Sequence, residues 1–233
     1  MMPLPKKTAL IVIRPEPGCS ATLAAARELG LETRAFPLFT IITRDWEAPP
    51  EQEIDALLLG SANALRSAGE SLAQYAGKPA YVVGEATASA AAAAGFTIAA
   101  SGSGGLQDVV GAITHSRLLR LTGEEFVKLE LPPGTTLTER IVYASRPQPM
   151  PAALAEMLAA PAVVMLHSAA AARHFAAECE RLGLDRGRLP LAVIGPRVAE
   201  AAGPGWRRIG AAPEPSDHAL LALATRLCQT AAS

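Results

Sequence analysis

Short apolar runs alternate with helix-like segments along most of the chain, and this alternation predicts the order of its elements. The runs are bounded by glycine, proline or polar residues, as expected for strands that are buried on both faces of a sheet. The strands predicted in this way are Thr8–Ile13, Glu32–Phe36, Ala56–Leu59, Tyr81–Val83, Leu118–Leu121, Thr138–Tyr143, Val163–Leu166 and Leu191–Ile194. The predicted helices are Ala21–Leu29, a helix that begins at Ala62, Ala86–Ala94, Ala169–Arg181, Val198–Ala202 and His218–Cys228. This order is typical of an α/β protein with largely parallel sheets.

Two stretches of the chain repeat the same strand, turn and helix pattern. Residues 57–62 (LLLGSA) match residues 164–169 (VMLHSA), and residues 82–87 (VVGEAT) match residues 193–198 (VIGPRV). Two copies of one α/β unit predict two similar domains.

The number of strands predicts how the chain is divided between these domains. A parallel sheet of about five strands needs a crossover between neighbouring strands. The second repeat alone supplies too few strands to form such a sheet. We therefore expect the N-terminal βα unit to return to the C-terminal domain, so that residues 1–37 and 145–233 form one discontinuous domain. Residues 41–140 form the other. The crossings near residues 36–41 and 138–144 are β-rich and predict a two-stranded β linker.

The segment between residues 124 and 137 favours a hairpin over a short helix. Phe126 to Leu131 alternates apolar and polar residues with a period of two, and Pro132-Pro133-Gly134 follows as a turn signal.

Composition and charge exclude several classes of protein. The 233 residues are 50% hydrophobic, and a net charge of −1 from 21 basic and 22 acidic residues gives no positive field for nucleic acid. The longest alanine-rich run is far below the ~20 apolar residues that cross a bilayer. The first residues lack the pattern of a signal peptide, so we expect a cytoplasmic protein without a membrane partner. Three cysteines without C-x-x-C spacing suggest neither a disulfide framework nor a metal site.

Four turns join a predicted strand to a predicted helix with small or polar residues: Gly60-Ser61, Gly84 to Thr87, His167-Ser168 and Gly195 to Arg197. Such turns lie at the carboxyl edge of an open α/β sheet, where ligands bind and where free backbone N–H groups donate hydrogen bonds to anions. Each serine alone fits an ordinary helix N-cap equally well. The chain has neither the G-x-G-x-x-G nor the G-x-x-x-x-G-K-[ST] pattern, so a dinucleotide or P-loop nucleotide is not indicated.

Tyr143 is the single residue with the clearest potential role in catalysis. It lies where the second crossing leaves one domain for the other, so its phenol is placed to donate a proton to a leaving group. The same position also fits an aromatic side chain that only packs in the linker, and both interpretations stand at this stage. The four histidines show no ligand spacing, and no Ser/His/Asp or Cys/His set can be assembled.

A series of short motifs, in this order and over nearly the whole chain, resembles the uroporphyrinogen-III synthase family. They are Arg14-Pro15-Glu16, Phe36-Pro37-Leu38, Gly60-Ser61-Ala62-Asn63-Ala64, Val83-Gly84-Glu85-Ala86-Thr87-Ala88, Val142-Tyr143, Leu166-His167-Ser168, Ile194-Gly195-Pro196 and Pro213-Glu214-Pro215-Ser216. The resemblance implies two flavodoxin-like α/β domains joined by a β-ladder. It also implies a lyase of heme biosynthesis that cyclises hydroxymethylbilane, a polycarboxylate tetrapyrrole, to uroporphyrinogen III with inversion of ring D and without a cofactor. We expect a monomer.

The resemblance also assigns site residues, with Tyr143 as the catalytic residue that helps the hydroxyl depart. The substrate-binding residues that follow from the matched motifs and the two nearby arginines are Arg14, Ser61, Ala62, Thr87, Ser168, Ala169, Arg197 and Ser216. The chain departs from the family pattern in two places. Arg197-Val198 replaces the hydroxyl residues that often follow Ile-Gly-Pro, and the arginine-bearing helix expected after Gly123 is shortened.

Two other classes of protein stay open from the sequence alone. A two-lobed α/β ligand-binding module without catalysis would show the same repeat and crossings. So would an interaction protein with flavodoxin-like domains and no small-molecule site.

Overall fold

The computed structural model describes residues 8–231, which form an α/β protein with two sheets. The strands are β1 Ala9–Val12, β2 Thr33–Ala35, β3 Phe39–Thr43, β4 Ala56–Leu59, β5 Pro79–Val83, β6 Thr97–Gly102, β7 Arg117–Gly123, β8 Thr136–Pro147, β9 Ala162–Leu166, β10 Pro190–Val193 and β11 Arg208–Ala211. The α-helices are α1 Gly18–Glu28, α2 Ala62–Ser67, α3 Glu85–Ala93, α4 Gln107–Val110, α5 Ala152–Leu158, α6 Ala169–Arg181, α7 Pro196–Ala202 and α8 Asp217–Ala231. Short 3₁₀ helices span Glu51–Glu53, Glu70–Tyr75 and Arg186–Arg188.

The chain divides into two compact units. The first unit combines the described residues up to Thr40 with those from Pro147 onward, and the second unit is Ile41–Arg146. In the first unit, β1 pairs in parallel with β9 and with β2, and the strand order is β11-β10-β9-β1-β2. The N-terminal strand thus lies in the middle of a sheet whose other central strands come from the C-terminal half of the chain.

The second unit holds a six-stranded sheet with the order β3-β8-β7-β4-β5-β6. Strands β4, β5, β6, β7 and β8 pair in parallel with their neighbours in this order. Strand β4 occupies the centre here as β9 does in the first unit, and β5 and β6 follow it as β10 and β11 follow β9. The places that β7 and β8 take in the second unit belong to β1 and β2 in the first, so the two strand orders are related by a circular permutation.

Apolar side chains cover both faces of each sheet. In the first unit, Ile11, Val164 and Val193 face a core with α5, α6 and α7, whereas Leu10 and Met165 face a core with α1 and α8. In the second unit, one face packs under α2 and α3. The opposite face of the second sheet is covered more thinly, by α4 and by partly buried residues that include Leu129 and Leu131.

The hairpin expected over residues 124–137 is wrong, and no short helix replaces it. Residues 124–135 form an extended segment without assigned strands. Strands β7 and β8 are parallel, so the chain must cross the sheet face between them, and a hairpin joins only antiparallel strands. The alternation of Phe126 to Leu131 reflects burial of Leu129 and Leu131 against that face rather than strand pairing. Glu130 pairs through both backbone groups with the side-chain amide of Gln107, at 3.0 Å for each bond.

A buried arginine fixes the start of this crossover segment, which we define as residues 124–135. The Arg120 side chain is 6% exposed, and its Nη1 donates to the Val127 carbonyl and to Glu139 Oε1, each at 2.9 Å. The Phe126 ring covers the guanidinium, with 4.8 Å between the Arg120 Cζ and the ring centroid. Arg120 therefore supplies contacts that a packed helix would otherwise make on this face.

We predict that Arg120→Met destabilises the protein by about 1–3 kcal/mol, because the Val127 carbonyl loses a buried charged donor and Glu139 loses its cation. The aliphatic part of the side chain is kept. The matched control is Arg117→Met on the same strand, which removes a solvent-screened pair with Asp55 and should cost less. Urea unfolding measures both, and limited proteolysis should show faster cleavage within residues 124–135 in Arg120→Met only. Equal losses in the two variants would contradict the anchoring role.

Candidate functional site

The carboxyl ends of β1, β9 and β10 meet at one edge of the first sheet. Their parallel register places Val12 beside Met165 and Val193 beside Leu166. The residues that follow these strands therefore converge, and they include Arg14, Ser168 and Arg197. Ser216 reaches the same edge because it precedes α8, which packs under β9 and β10.

Two of the predicted serines begin helices at this edge. Ser168 Oγ accepts from the Ala171 N–H at 3.1 Å before α6, and Ser216 Oγ accepts from the Ala219 N–H at 3.1 Å before α8. Ala169 is the first residue of α6, and Arg197 lies exposed in the first turn of α7. Each serine satisfies one donor of its helix, and the other N–H groups of the first turn stay available to an anion.

Arg14 is held in a defined position at the same edge. Its Nη1 donates to Asp217 Oδ2 at 2.5 Å and to Thr22 Oγ1 at 3.3 Å. Its guanidinium lies against Gly18, where a Cβ would come within 2.6 Å of Nε. The arginine is thus paired with a carboxylate and packed on backbone, although 24% of its side chain remains exposed.

His167 is a member of this cluster that the sequence analysis set aside. Its side chain is only 7% exposed, and its Nε2 lies 3.4 Å from Asp217 Oδ1. Neither ring nitrogen has a hydrogen-bond partner among the described residues. Burial lowers the pKa of His167, and the nearby Arg14 charge acts in the same direction, while Asp217 opposes them. The balance favours the neutral form of the imidazole over the imidazolium.

Asp217 completes the cluster at the N-terminus of α8. Burial alone would raise the pKa of Asp217, but His167 and Arg14 lower it to about 2. Arg14, which donates to Asp217 Oδ2, is a permanent cation beside this carboxylate. The only sequence signal for this group was that His167 takes the place of Gly60 in the repeat, since Asp217 is 203 residues from Arg14 in the chain.

The second unit brings three predicted residues to the carboxyl edge of its own sheet. Ser61 follows β4, Thr87 lies in the first turn of α3 after β5, and Tyr143 lies in β8. Ser61 Oγ accepts from the Asn63 N–H at 3.2 Å as the N-cap of α2. Ala62 and Thr87 are buried. Their side chains are therefore part of the packing at this edge, and Ser61 is the more accessible group.

Tyr143 is half-buried and lies beside Gly123, the last residue of β7. The pairing of β7 with β8 shifts register at this point, so that Gly123 pairs with Tyr143 after Thr122 pairs with Ile141. Such a bulge changes the direction in which a side chain points at the end of a strand. The Glu124 N–H donates to the Tyr143 carbonyl at 3.1 Å and closes the pairing.

Two arginines share one carboxylate next to Tyr143. Arg146 lies 2.6 Å from Glu124 Oε2, and Arg44 lies 2.7 Å from Glu124 Oε1. Hydrogen bonds from Arg146 and then Arg44 lower the pKa of Glu124. No local sequence pattern indicates this group, because its members come from the end of β8, the residue after β3 and the crossover segment.

Other parts of residues 8–231 offer less to a polar ligand. They contain no group of three or more His, Cys, Asp or Glu that could hold a metal ion, and no helix long and apolar enough to cross a membrane. A pocket of about 240 Å³ lies at the opposite, amino edge of the first sheet, where it is lined by Pro161, Pro190 and Arg207 among others. It is separate from the clusters described above.

One protein family matches most of the chain. A family model for uroporphyrinogen-III synthase HemD matches residues 20–222. A search of curated protein sequences finds no match.

Two solved structures of uroporphyrinogen-III synthases are similar in fold to this chain. Uroporphyrinogen-III synthetase from Helicobacter pylori aligns with a TM-score of 0.60 at 18% identity, over 94% of this chain and 99% of that one. A mutant uroporphyrinogen III synthase from Thermus thermophilus aligns with a TM-score of 0.55 at 16% identity, over 96% of this chain and 99% of that one.

We predict that His167 makes the protein less stable as the pH falls from 7.5 to 5.5. Burial lowers the pKa of this histidine in the folded state, so the unfolded chain takes up a proton first and unfolding is favoured. One such group changes the unfolding free energy by at most about 1.4 kcal/mol per pH unit. Urea unfolding at several pH values should show a smaller slope for His167→Leu than for the wild type. The control His218→Leu, at an exposed histidine, should keep the wild-type slope, and an unchanged slope in His167→Leu would contradict the prediction.

Proposed function

The chain belongs to the uroporphyrinogen-III synthase family, the cyclising lyases of tetrapyrrole biosynthesis, and from this premise we propose how its residues carry out the reaction. The observation that carries the proposal is the family match over residues 20–222, which includes every proposed site residue except Arg14. The substrate is hydroxymethylbilane and the product is uroporphyrinogen III. Residues of both units contribute to binding, and Tyr143 acts on the departing hydroxyl.

The substrate carries eight carboxylates, and the chain presents donors suited to them. The helix starts after Ser61, Ser168 and Ser216 offer backbone N–H groups and the positive end of a helix dipole. Arg14 and Arg197 add guanidinium groups that bind carboxylates in two-pronged geometry. Ala62 and Ala169 contribute backbone groups at the starts of α2 and α6, and Thr87 contributes from the first turn of α3. We propose that these residues together fix the substrate without a large net positive charge.

The reaction depends more on how the protein orients the substrate than on any covalent bond between protein and substrate. Loss of the hydroxyl leaves an extended cation on ring A, and the substituted carbon of ring D attacks it through a spiro intermediate before the ring inverts. The protein must hold ring D so that this carbon, rather than the free one, meets the cation, and such orientation effects on rate are large. Tyr143 donates a proton to the hydroxyl as it leaves.

We further propose that the two units are the flavodoxin-like domains of the family and that the β3 and β8 strands form the linker between them. The support is that β3 and β8 are neighbours in one sheet and that the crossings expected near residues 36–41 and 138–144 fall on these two strands. We also propose that the protein acts as a monomer in the cytoplasm.

A coupled assay tests the proposed activity directly. Hydroxymethylbilane is generated in situ by its own synthase, and the oxidised products are separated into type I and type III isomers. We expect the type III isomer in excess over the spontaneous type I product. Formation of type I only would remove the assignment as a synthase and leave a binding module.

We predict that Tyr143→Phe lowers turnover about ten- to a thousandfold while the product stays type III. General acid assistance typically contributes roughly 10²–10⁴-fold, but the hydroxyl also leaves readily without enzyme and a substrate carboxylate can deliver the proton. Isomer choice depends on the carboxylate contacts, which the substitution leaves intact. Steady-state rates and product chromatography measure both quantities.

The control for Tyr143→Phe is Tyr81→Phe. The Tyr81 hydroxyl accepts from the Thr114 N–H at 3.1 Å and contacts His115 Nδ1 at 2.8 Å, so its loss should cost about 1 kcal/mol of stability and leave turnover unchanged. A folded Tyr143→Phe protein with wild-type turnover would show that Tyr143 only packs beside the strand.

A further inference from the structure

Gly123 is in unusually close contact with the phenol of Tyr143. A Cβ built on Gly123 would lie 2.8 Å from both Cε2 and Cζ of Tyr143 and 3.1 Å from its hydroxyl oxygen. Real side chains do not approach a Cβ this closely, so the ring occupies the space that any other residue at position 123 would fill. The contact reaches the hydroxyl end of the ring, where the proposed proton transfer takes place.

The backbone conformation does not require a glycine at position 123. The glycines with positive φ among the described residues do not include Gly123, so alanine can adopt its conformation without strain. Gly123 is also the position where the β7–β8 register shifts, opposite Tyr143. The bulge and the missing side chain therefore act on the same aromatic ring.

We propose that Gly123 is a positioning residue that seats the Tyr143 phenol against the end of β7. The bulge directs the side chain toward β7, the Glu124 N–H holds the Tyr143 carbonyl at 3.1 Å, and the absence of a Cβ at position 123 allows the ring to lie on the backbone. The effect of this seating on rate depends on the proposed role of Tyr143 as proton donor.

The expected behaviour of Gly123→Ala follows from what the new methyl group would meet. The obstructing atoms are the far end of a tyrosine side chain that is half-buried, so the ring can swing away while the strand stays in place. The fold should therefore tolerate alanine, and the phenol should not stay where it is. A misplaced acid lowers kcat, whereas substrate carboxylates still find their donors and KM changes little.

The chain offers a matched control in the same unit. Gly111 is exposed, has a helical φ of −64°, and would place a Cβ with nothing within 4 Å. Gly111→Ala therefore repeats the substitution without a ring to displace.

Kinetics of Gly123→Ala, Tyr143→Phe and the double variant test the proposal. We expect Gly123→Ala to lower kcat about tenfold with KM within twofold and with type III product, and to lower kcat less than twofold when Phe already replaces Tyr143. Gly111→Ala should match the wild type, and thermal unfolding should show Gly123→Ala folded. An equal loss of kcat in both backgrounds would overturn the proposal, because the glycine would then act independently of the phenol.

A spectroscopic measurement separates this proposal from the proposed role of Tyr143. The sequence has three tyrosines, and Tyr75 and Tyr81 are buried elsewhere in the same unit, so ring-¹³C-tyrosine NMR resolves Tyr143 by its loss in Tyr143→Phe. Gly123→Ala should move the Tyr143 signal and leave the other two unchanged. An unmoved signal would overturn the seating. A moved signal together with wild-type turnover in Tyr143→Phe would support the seating and reject the catalytic role.

Discussion

Strands β1, β9 and β10 of the first unit and β4, β5 and β7 of the second run in parallel, and a parallel strand is reached only by a crossover that carries the chain back along the sheet. Two consequences follow. The strands are buried on both faces, which explains their continuous apolar runs, and their carboxyl ends meet at one edge in each unit. The turns at that edge must redirect the chain into helices, so they carry small residues, N-caps and free N–H groups. The fold therefore provides anion-binding backbone groups at this edge whatever side chains the turns carry.

The crossover between the parallel strands β7 and β8 returns the chain along the sheet without a helix. The chain must return roughly 20–25 Å along a seven-residue strand, and the 12 residues of the segment can span that distance when extended. An extended chain covers less apolar surface than a helix and leaves more backbone groups to satisfy. Arg120 of β7 supplies a donor to this segment, and Gln107 of α4 supplies a donor and an acceptor. The crossover segment begins at Glu124, directly after Gly123, so the geometry around Tyr143 depends on where the chain leaves the sheet.

The sequence predicted the central strands, the turns and the edge positions of Ser61 and Ser168, because local apolar patterns and repeat spacing encode them. It missed α5 and the edge strands β6 and β11, since half-exposed edge strands lack a continuous apolar run. It also missed contacts between residues that are distant in the chain, such as Arg14 with Asp217 and Arg44 with Glu124. Alternation over Phe126 to Leu131 was misleading because burial of every second residue needs an apolar surface and not a paired strand.

Charge balance explains why the acidic partners of the arginines matter as much as the arginines. A chain with net charge −1 must hold a substrate with eight carboxylates. Arg14 is neutralised by Asp217, and Arg44 and Arg146 share Glu124, so these three arginines and two carboxylates together carry a net charge of only +1. Backbone N–H groups at helix starts need no counter-ion, and their direction is fixed by the helix itself. In the proposed site, the fixed dipoles bind carboxylates at little cost, whereas Arg14 must exchange Asp217 for a carboxylate of the substrate. Such an exchange replaces one arginine–carboxylate attraction with another, so its free energy depends mainly on the geometry of the new pair. This dependence on geometry suits a reaction whose product is set by the orientation of ring D.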